Sequence, residues 1–236
     1  MSMRNYFTFA GRQSVDFGVY ISGSGVFDAP ERAYEPITIP GRNGAILGKE
    51  RRLENIELTY PAFIYANFRK QAAALKSFLL SRDGYQRLED TYYPEEFRLA
   101  YYSGGLEADM LENLRAGNFD VTFNCKPQRY LKTGTMTTGY TAAGMIYNPT
   151  EFAAAPLIRA YGSGPVTIGD TTITISTTDA YTDIDCELME AYFGTESRNS
   201  AIQLSTNDFP LLEAGMTSIS MSGVTRVEIT PRWWRV

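Results

Sequence analysis

The 236 residues contain no histidine. This removes Ser-His and Cys-His nucleophilic sites, the commonest general base and most zinc sites. Neither Gly-x-x-x-x-Gly-Lys-Ser/Thr nor a strand-linked Gly-x-Gly-x-x-Gly occurs, so the sequence offers no glycine cradle for phosphate. No Asp-x-Asp-x-Asp-Gly loop is present to hold calcium. Cysteine occurs only twice, as Cys125 and Cys186. Each falls at an apolar position of an alternating run and reads as a small core residue rather than half of a disulfide. No apolar run reaches the roughly 18 residues of a membrane span. The start Met1-Ser2-Met3-Arg4-Asn5-Tyr6 lacks the apolar centre of a signal peptide, which predicts a chain made and folded in a cytoplasm. Catalysis, cofactor and metal are thus left with few candidate residues, and none is predicted.

What is present is a folding composition, 44% hydrophobic and 13% aromatic. The length predicts two modest domains with cores large enough to need neither metal nor disulfide. Residues 1–133 hold 17 Lys and Arg against 16 Asp and Glu, whereas residues 134–236 hold 5 against 11, and every lysine lies in the first part. Nucleic-acid readers need clustered cations to displace phosphate counterions, and the second part would repel a duplex.

The stretch Ile37 to Leu47 places apolar β-type segments on either side of Pro40-Gly41 and Asn43-Gly44. Asn and Gly tolerate positive φ, so the pattern predicts a hairpin that holds Arg42 at its tip. Pro30 and Pro36 before it suit an edge or an arm, since proline cannot donate to a ladder. Upstream, Tyr6 to Phe9 and Ser14 to Ser22 read as two strands. Downstream, Ile56, Leu58 and Tyr60 alternate in a strand that Pro61 is expected to end. Phe68, Ala72, Leu75 and Leu79 recur at helical spacing between about Asn67 and Arg82, the one convincing helix. Strands resume through Gln86 to Asp90, Glu96 to Ser103 and Asn118 to Cys125, with Lys126-Pro127 closing the run. The first domain therefore reads as α+β. Thr133 to Thr141, with five Thr, two Gly and no charge, has the composition of a linker. The expected boundary is residues 1–133 and 134–236.

The second domain reads as all β. Leu157 to Tyr161, Val166 to Ile168, Thr171 to Ile175, Thr182 to Met189, Ile202 to Leu204, Thr217 to Met221 and Val224 to Thr230 are short strands, and Gly169-Asp170 is a glycine-first hairpin turn. This spacing predicts a two-sheet sandwich or jelly-roll. Asp183, Asp185 and Glu187 share one face of a strand, and a glycosidase needs two such carboxylates about 5 to 10 Å apart. The simpler expectation is that Ile184, Cys186 and Leu188 fill the core while these acids face water. Trp233-Trp234 are the only tryptophans. Adjacent strand residues face opposite ways, so one can anchor a core while the other meets a partner; burial of both is the alternative.

The ordered set Asp16-Phe17-Gly18-Val19-Tyr20-Ile21, Ile39-Pro40-Gly41-Arg42-Asn43-Gly44, Pro156 to Gly162, Ile184 to Met189, Arg198-Asn199-Ser200, Asn207-Asp208-Phe209-Pro210 and Val227 to Trp234 resembles the distal tail (Dit) proteins of siphophages and prophages. The resemblance implies a mainly β fold: an N-terminal α+β ring-forming domain, a β-sandwich with one helix and an extended hairpin, followed by a C-terminal galectin-like β-sandwich. It implies a structural hub at the phage tail tip, not an enzyme and without cofactor. The hub would be a hexameric ring that joins the tail tube to tail-associated or adhesion proteins and surrounds a DNA channel, with no membrane partner. Subunit or partner contacts are expected at Pro40, Gly41, Arg42, Asn43, Gly44 and Trp234. A second reading, a module for host-surface sugars, would use Tyr161, Tyr192 or Trp234 as stacking faces. Some relatives carry an inserted arm or sugar-binding module in the second domain, for which residues 134–236 leave no room.

Overall fold

The computed structural model describes residues 4–23, 29–34, 36–47, 52–104, 108–110 and 116–236. The fold is mainly β, with one α-helix among the described residues. It comprises two compact units, Met1–Arg129 and Tyr130–Arg235.

In the first unit the main sheet runs in the order Arg12–Gln13, Phe7–Phe9, Gln86–Asp90, Glu96–Tyr102, Gly117–Leu131, Ile56–Ile64, Val19–Ile21. Alternation puts Phe7, Phe9, Tyr60 and Phe123 on the inner face, where the Phe123 ring lies 5.4 Å from Phe7 and 5.0 Å from Phe9. The helix Phe68–Leu80 buries Phe68, Leu75, Phe78 and Leu79 in the same core. Its apolar stripe is the one read from the sequence.

Two stretches of this unit differ from the sequence expectation. Ser14 to Phe17 is a 3₁₀ turn rather than strand. The Asp16 carboxylate accepts the Gln13 N–H at 3.2 Å, and Gly18 leaves the turn at φ 68°, so strand begins only at Val19. Pro61 does not end its strand, which continues to Ile64. The Pro61 carbonyl accepts the Ser22 N–H at 2.8 Å, so its missing donor faces the end of the Val19–Ile21 strand. The Tyr92 hydroxyl donates to the Ser22 carbonyl at 2.8 Å and satisfies the group proline cannot serve.

The strand through Cys125 likewise continues past Lys126-Pro127 to Leu131. The predicted linker is ordered structure of the second unit: Thr138–Tyr140 pairs with Val224–Thr230 as a sheet edge. Gly134 lies so close to the chain that a Cβ there would sit 2.4 Å from the Trp233 nitrogen, and its carbonyl accepts the Arg232 N–H at 2.8 Å. Glycine is needed there for close approach, a role that composition alone reads as flexibility.

The second unit is a sandwich. One sheet has the order Thr138–Tyr140, Val224–Thr230, Leu157–Gly162, Thr182–Asp185, Glu190–Phe193, Glu196–Ser197; the other has Gly144–Asn148, Gly215–Met221, Gly164–Ile168, Thr171–Ile175, Ile202–Leu204. Ile158, Ile184 and Ile229 of the first meet Val166, Ile168, Ile173, Ile175 and Ile219 of the second in one apolar core. Gly169, at φ 56°, starts the two-residue turn between Gly164–Ile168 and Thr171–Ile175.

Candidate functional site

Pro36–Thr38 and Ala45–Leu47 form a separate two-stranded sheet, with Ile37 opposite Ile46 and Thr38 opposite Ala45. At its base Ala33 N–H donates to the Arg52 carbonyl (3.1 Å), Glu54 N–H donates to the Glu31 carbonyl (2.9 Å), and Arg32 bridges to Leu53. The tip comprises Ile39 to Gly44. Arg42 N–H donates to the Ile39 carbonyl at 3.1 Å, and Gly41 and Gly44 take φ of 80° and 82° with open space where a side chain would be. Glycine is required at both for conformation, not room.

The described residues of the arm from Pro36 to Leu47 are all exposed, including Ile37 at 56% and Leu47 at 57%. The Ile37–Ile46 pair therefore presents an apolar strip to water. A lone two-stranded ribbon gains too little from such a strip to be stable by itself, so cover from elsewhere is expected. The structure brings Pro40, Gly41, Arg42, Asn43 and Gly44 together at this tip.

Trp234 belongs to a different environment. Its ring stacks on Phe152 at 4.4 Å and its Nε1–H donates to the Ala153 carbonyl at 3.0 Å, while Trp233 is buried in the sandwich core. Both indoles pack within the second unit.

Of the three acids expected to face water, Glu187 does, whereas Asp183 and Asp185 do not. Thr182–Asp185 is an interior strand of the six-stranded sheet, and both of its faces are covered. Asp183 and Asp185 are each 4% exposed, whereas Leu188, expected inside, is exposed. Arg159 grips Asp183 through Nε and Nη2 at 2.7 and 2.8 Å, and Arg232 grips Asp185 through Nη1 and Nη2, both at 2.7 Å. Burial alone would raise the Asp185 carboxyl; the Arg232 guanidinium and the N–H groups of Leu188 and Glu187 outweigh it and hold the group below its ordinary range. The Arg159 guanidinium is shifted up, chiefly by its hydrogen bonds to Asp183. Both carboxylates are thus buried and spent on arginine rather than presented in an open cleft. Burial pushes the Cys186 thiol up to about 12, away from nucleophilic use.

Tyr161 and Tyr192 lie on the outer face of this sheet, on either side of the Arg159–Asp183 pair by strand register. The Tyr161 hydroxyl donates to Glu228 at 3.0 Å. The Arg159 guanidinium lies 4.2 Å over the Tyr181 ring, which meets Phe193 at 4.8 Å. This aromatic and ion-paired face was not read from sequence; the alternation of Arg159 with Tyr161 and of Asp183 with Asp185 was the available clue. Trp234 makes its contacts apart from it, with Phe152 and Ala153.

Motifs that carried the family resemblance prove to be staples. Arg232 adopts φ 60°, unusual for a side-chain-bearing residue, and is held there by Asp185 and Gly134. Asn199 accepts the Ala191 N–H at 2.6 Å, and Arg198 binds Asp179 and Glu196 at 2.6 and 2.8 Å. Among the described residues no group of three His, Cys, Asp or Glu stands close enough to hold a metal ion. No described helix is long and apolar enough to cross a membrane.

Residues 15–125 match the phage tail protein RIFT-related domain family. Over the whole chain, the fold is that of the Dit protein of phage SPP1, a protein characterised as a paradigm of the hub adsorption apparatus in phages infecting Gram-positive bacteria. The match has a TM-score of 0.72 at 16% identity and covers 96% of this chain and 98% of that one. No curated protein matches the sequence. The two matches bear out the distal tail resemblance drawn from the motifs.

Proposed function

We propose that this chain is the hub of a siphophage tail tip, closing with copies of itself into a ring, hexameric by analogy with the distal tail family. The ring domain would be residues 1–133, and the C-terminal galectin-like sandwich, residues 134–236, would project from it. The ring joins the tail tube on one side to tail-associated or adhesion proteins on the other, at the tip of the virion. The observation that carries this reading is the exposed Ile37–Ile46 strip on an arm that none of the described residues covers. In the ring the arm lies against the neighbouring subunit, with Arg42 reaching a carboxylate or carbonyl there.

DNA passes through the channel without specific binding. The near balance of charge in residues 1–133 suits that role, since a basic wall would retain phosphate. Deletion of Gly41 to Gly44 tests the proposal. Mass photometry and negative-stain imaging should show loss of the ring while the second unit keeps its unfolding transition. A ring that survives the deletion refutes the role of the arm.

The placement of Tyr161 and Tyr192 on one face favours a second reading, recognition of host-surface sugar. Screening the full chain on a glycan array decides it. Binding lost in Tyr161→Ala and Tyr192→Ala would support it, and no binding would leave the hub alone.

A further inference from the structure

The two sheets of the sandwich differ in charge. Gly144–Asn148, Gly215–Met221, Gly164–Ile168, Thr171–Ile175 and Ile202–Leu204 contain no Asp, Glu, Lys or Arg among them, in a chain that is 21% charged. Their outer face carries Met145, Tyr147 and Met216 at one side, exposed at 57%, 61% and 58%. Register places Tyr147 opposite Met216, so the three are contiguous. Hydroxyl residues such as Ser218, Thr167 and Thr172 continue the face.

At one end lies an open groove of about 480 Å³ lined by Phe209, Leu211, Met216, Asp170 and Glu213, among others, and no Lys or Arg lines it. Asp170 and Glu213 are exposed. Arg159, Arg198, Arg226 and Arg232, four of the five arginines of the second unit, are engaged with carboxylates of the other sheet and its loops. A core free of charge, enriched in Met and Tyr and bordered by charge of one sign, is the composition of a protein interface.

We infer that this face docks an extended segment of another protein whose apolar centre covers Met145, Tyr147 and Met216 and whose flanking Lys or Arg meets Asp170 and Glu213. Charge selects this occupant. A second copy would bring the same two acids and no cation to the contact, leaving both acidic borders unpaired. The inference does not depend on the ring, because it concerns the second unit alone.

The test uses the full chain and two synthetic peptides with the same alternating Val-Tyr-Leu centre, one flanked by two lysines at each end and one by two glutamates. Fluorescence anisotropy at low salt should give at least tenfold tighter binding of the lysine peptide. Asp170→Asn with Glu213→Gln should bring the two peptides to within about twofold. Met216→Glu should weaken the lysine peptide at least tenfold by breaking the apolar centre, and hydrogen exchange should show protection of Gly144 to Asn148 when that peptide binds. A circular dichroism melt unchanged by these surface variants ensures that lost binding is not lost folding. Equal affinity for both peptides, no binding up to millimolar concentration, or binding indifferent to the substitutions would overturn the inference. Self-association in sedimentation equilibrium that Met216→Glu abolishes would overturn it in favour of a second copy.

Discussion

The sandwich of the second unit has one apolar core and two unlike outer faces. The six-stranded sheet carries bidentate pairs, Arg159–Asp183 and Arg232–Asp185, in which the carboxylate is buried and the guanidinium partly so. The five-stranded sheet carries no charge at all. Buried ion pairs add little net stability but punish the loss of one partner, because the other is left charged in a poor solvent. A neutral hydroxyl face has no such penalty and can be changed freely unless something binds it. The first sheet is therefore constrained by its own fold, and the second only by what it meets.

The largest effect expected from this contrast follows removal of a cation from the paired face. Arg232→Ala leaves Asp185 buried and unpaired and should destabilise the second unit by about 3 to 5 kcal/mol in urea unfolding. A loss below about 1 kcal/mol would show that the pair is solvated and the contrast false. Gly134→Ala comes next. Its Cβ would meet backbone at 2.4 Å, and the shift needed should cost about 1 to 3 kcal/mol, comparable to an overpacked core.

Acid acts on the same face. The Asp185 pKa is lowered in the fold, so its contribution is fully present above the unfolded value near about 3.9 and is lost as pH falls through the folded value. With no histidine in the chain, stability should be nearly flat between about pH 5 and 8 and fall only below about 4. Thermal melts across that range check it, and a midpoint that moves near pH 6 would contradict it. The smallest effect is expected on the neutral sheet: Ser218→Lys should change stability by less than about 0.5 kcal/mol.

Much of the fold was legible in the sequence. The helix stripe Phe68, Leu75 and Leu79, the Asn43-Gly44 hairpin and the glycine-first turn at Gly169 rest on local chemistry and appear where expected. What escaped depends on partners distant in sequence. Pro61 reads as a strand end because its missing donor is visible in sequence and the Tyr92 hydroxyl that compensates is not. Gly134 and Thr138 read as a linker because close approach to Trp233 and pairing with Ile229 are tertiary facts. Asp183 and Asp185 looked solvent-facing because alternation cannot say that Arg159 of the neighbouring strand and Arg232, just past Val224–Thr230, cover the polar face. For the arm, sequence located the tip residues, and the structure added the uncovered apolar strip behind them.

Pro61 also has a geometric consequence. Beside an ordinary residue, the Val19–Ile21 strand could go on zipping along Ile56–Ile64, because every second pair, that of Ser22 and residue 61 included, offers two backbone bonds. Proline offers only one at that step, and the tyrosine hydroxyl takes the other place. The ladder thus meets a zip stop at Ser22, and the chain is released from the sheet shortly before the segment that builds the arm.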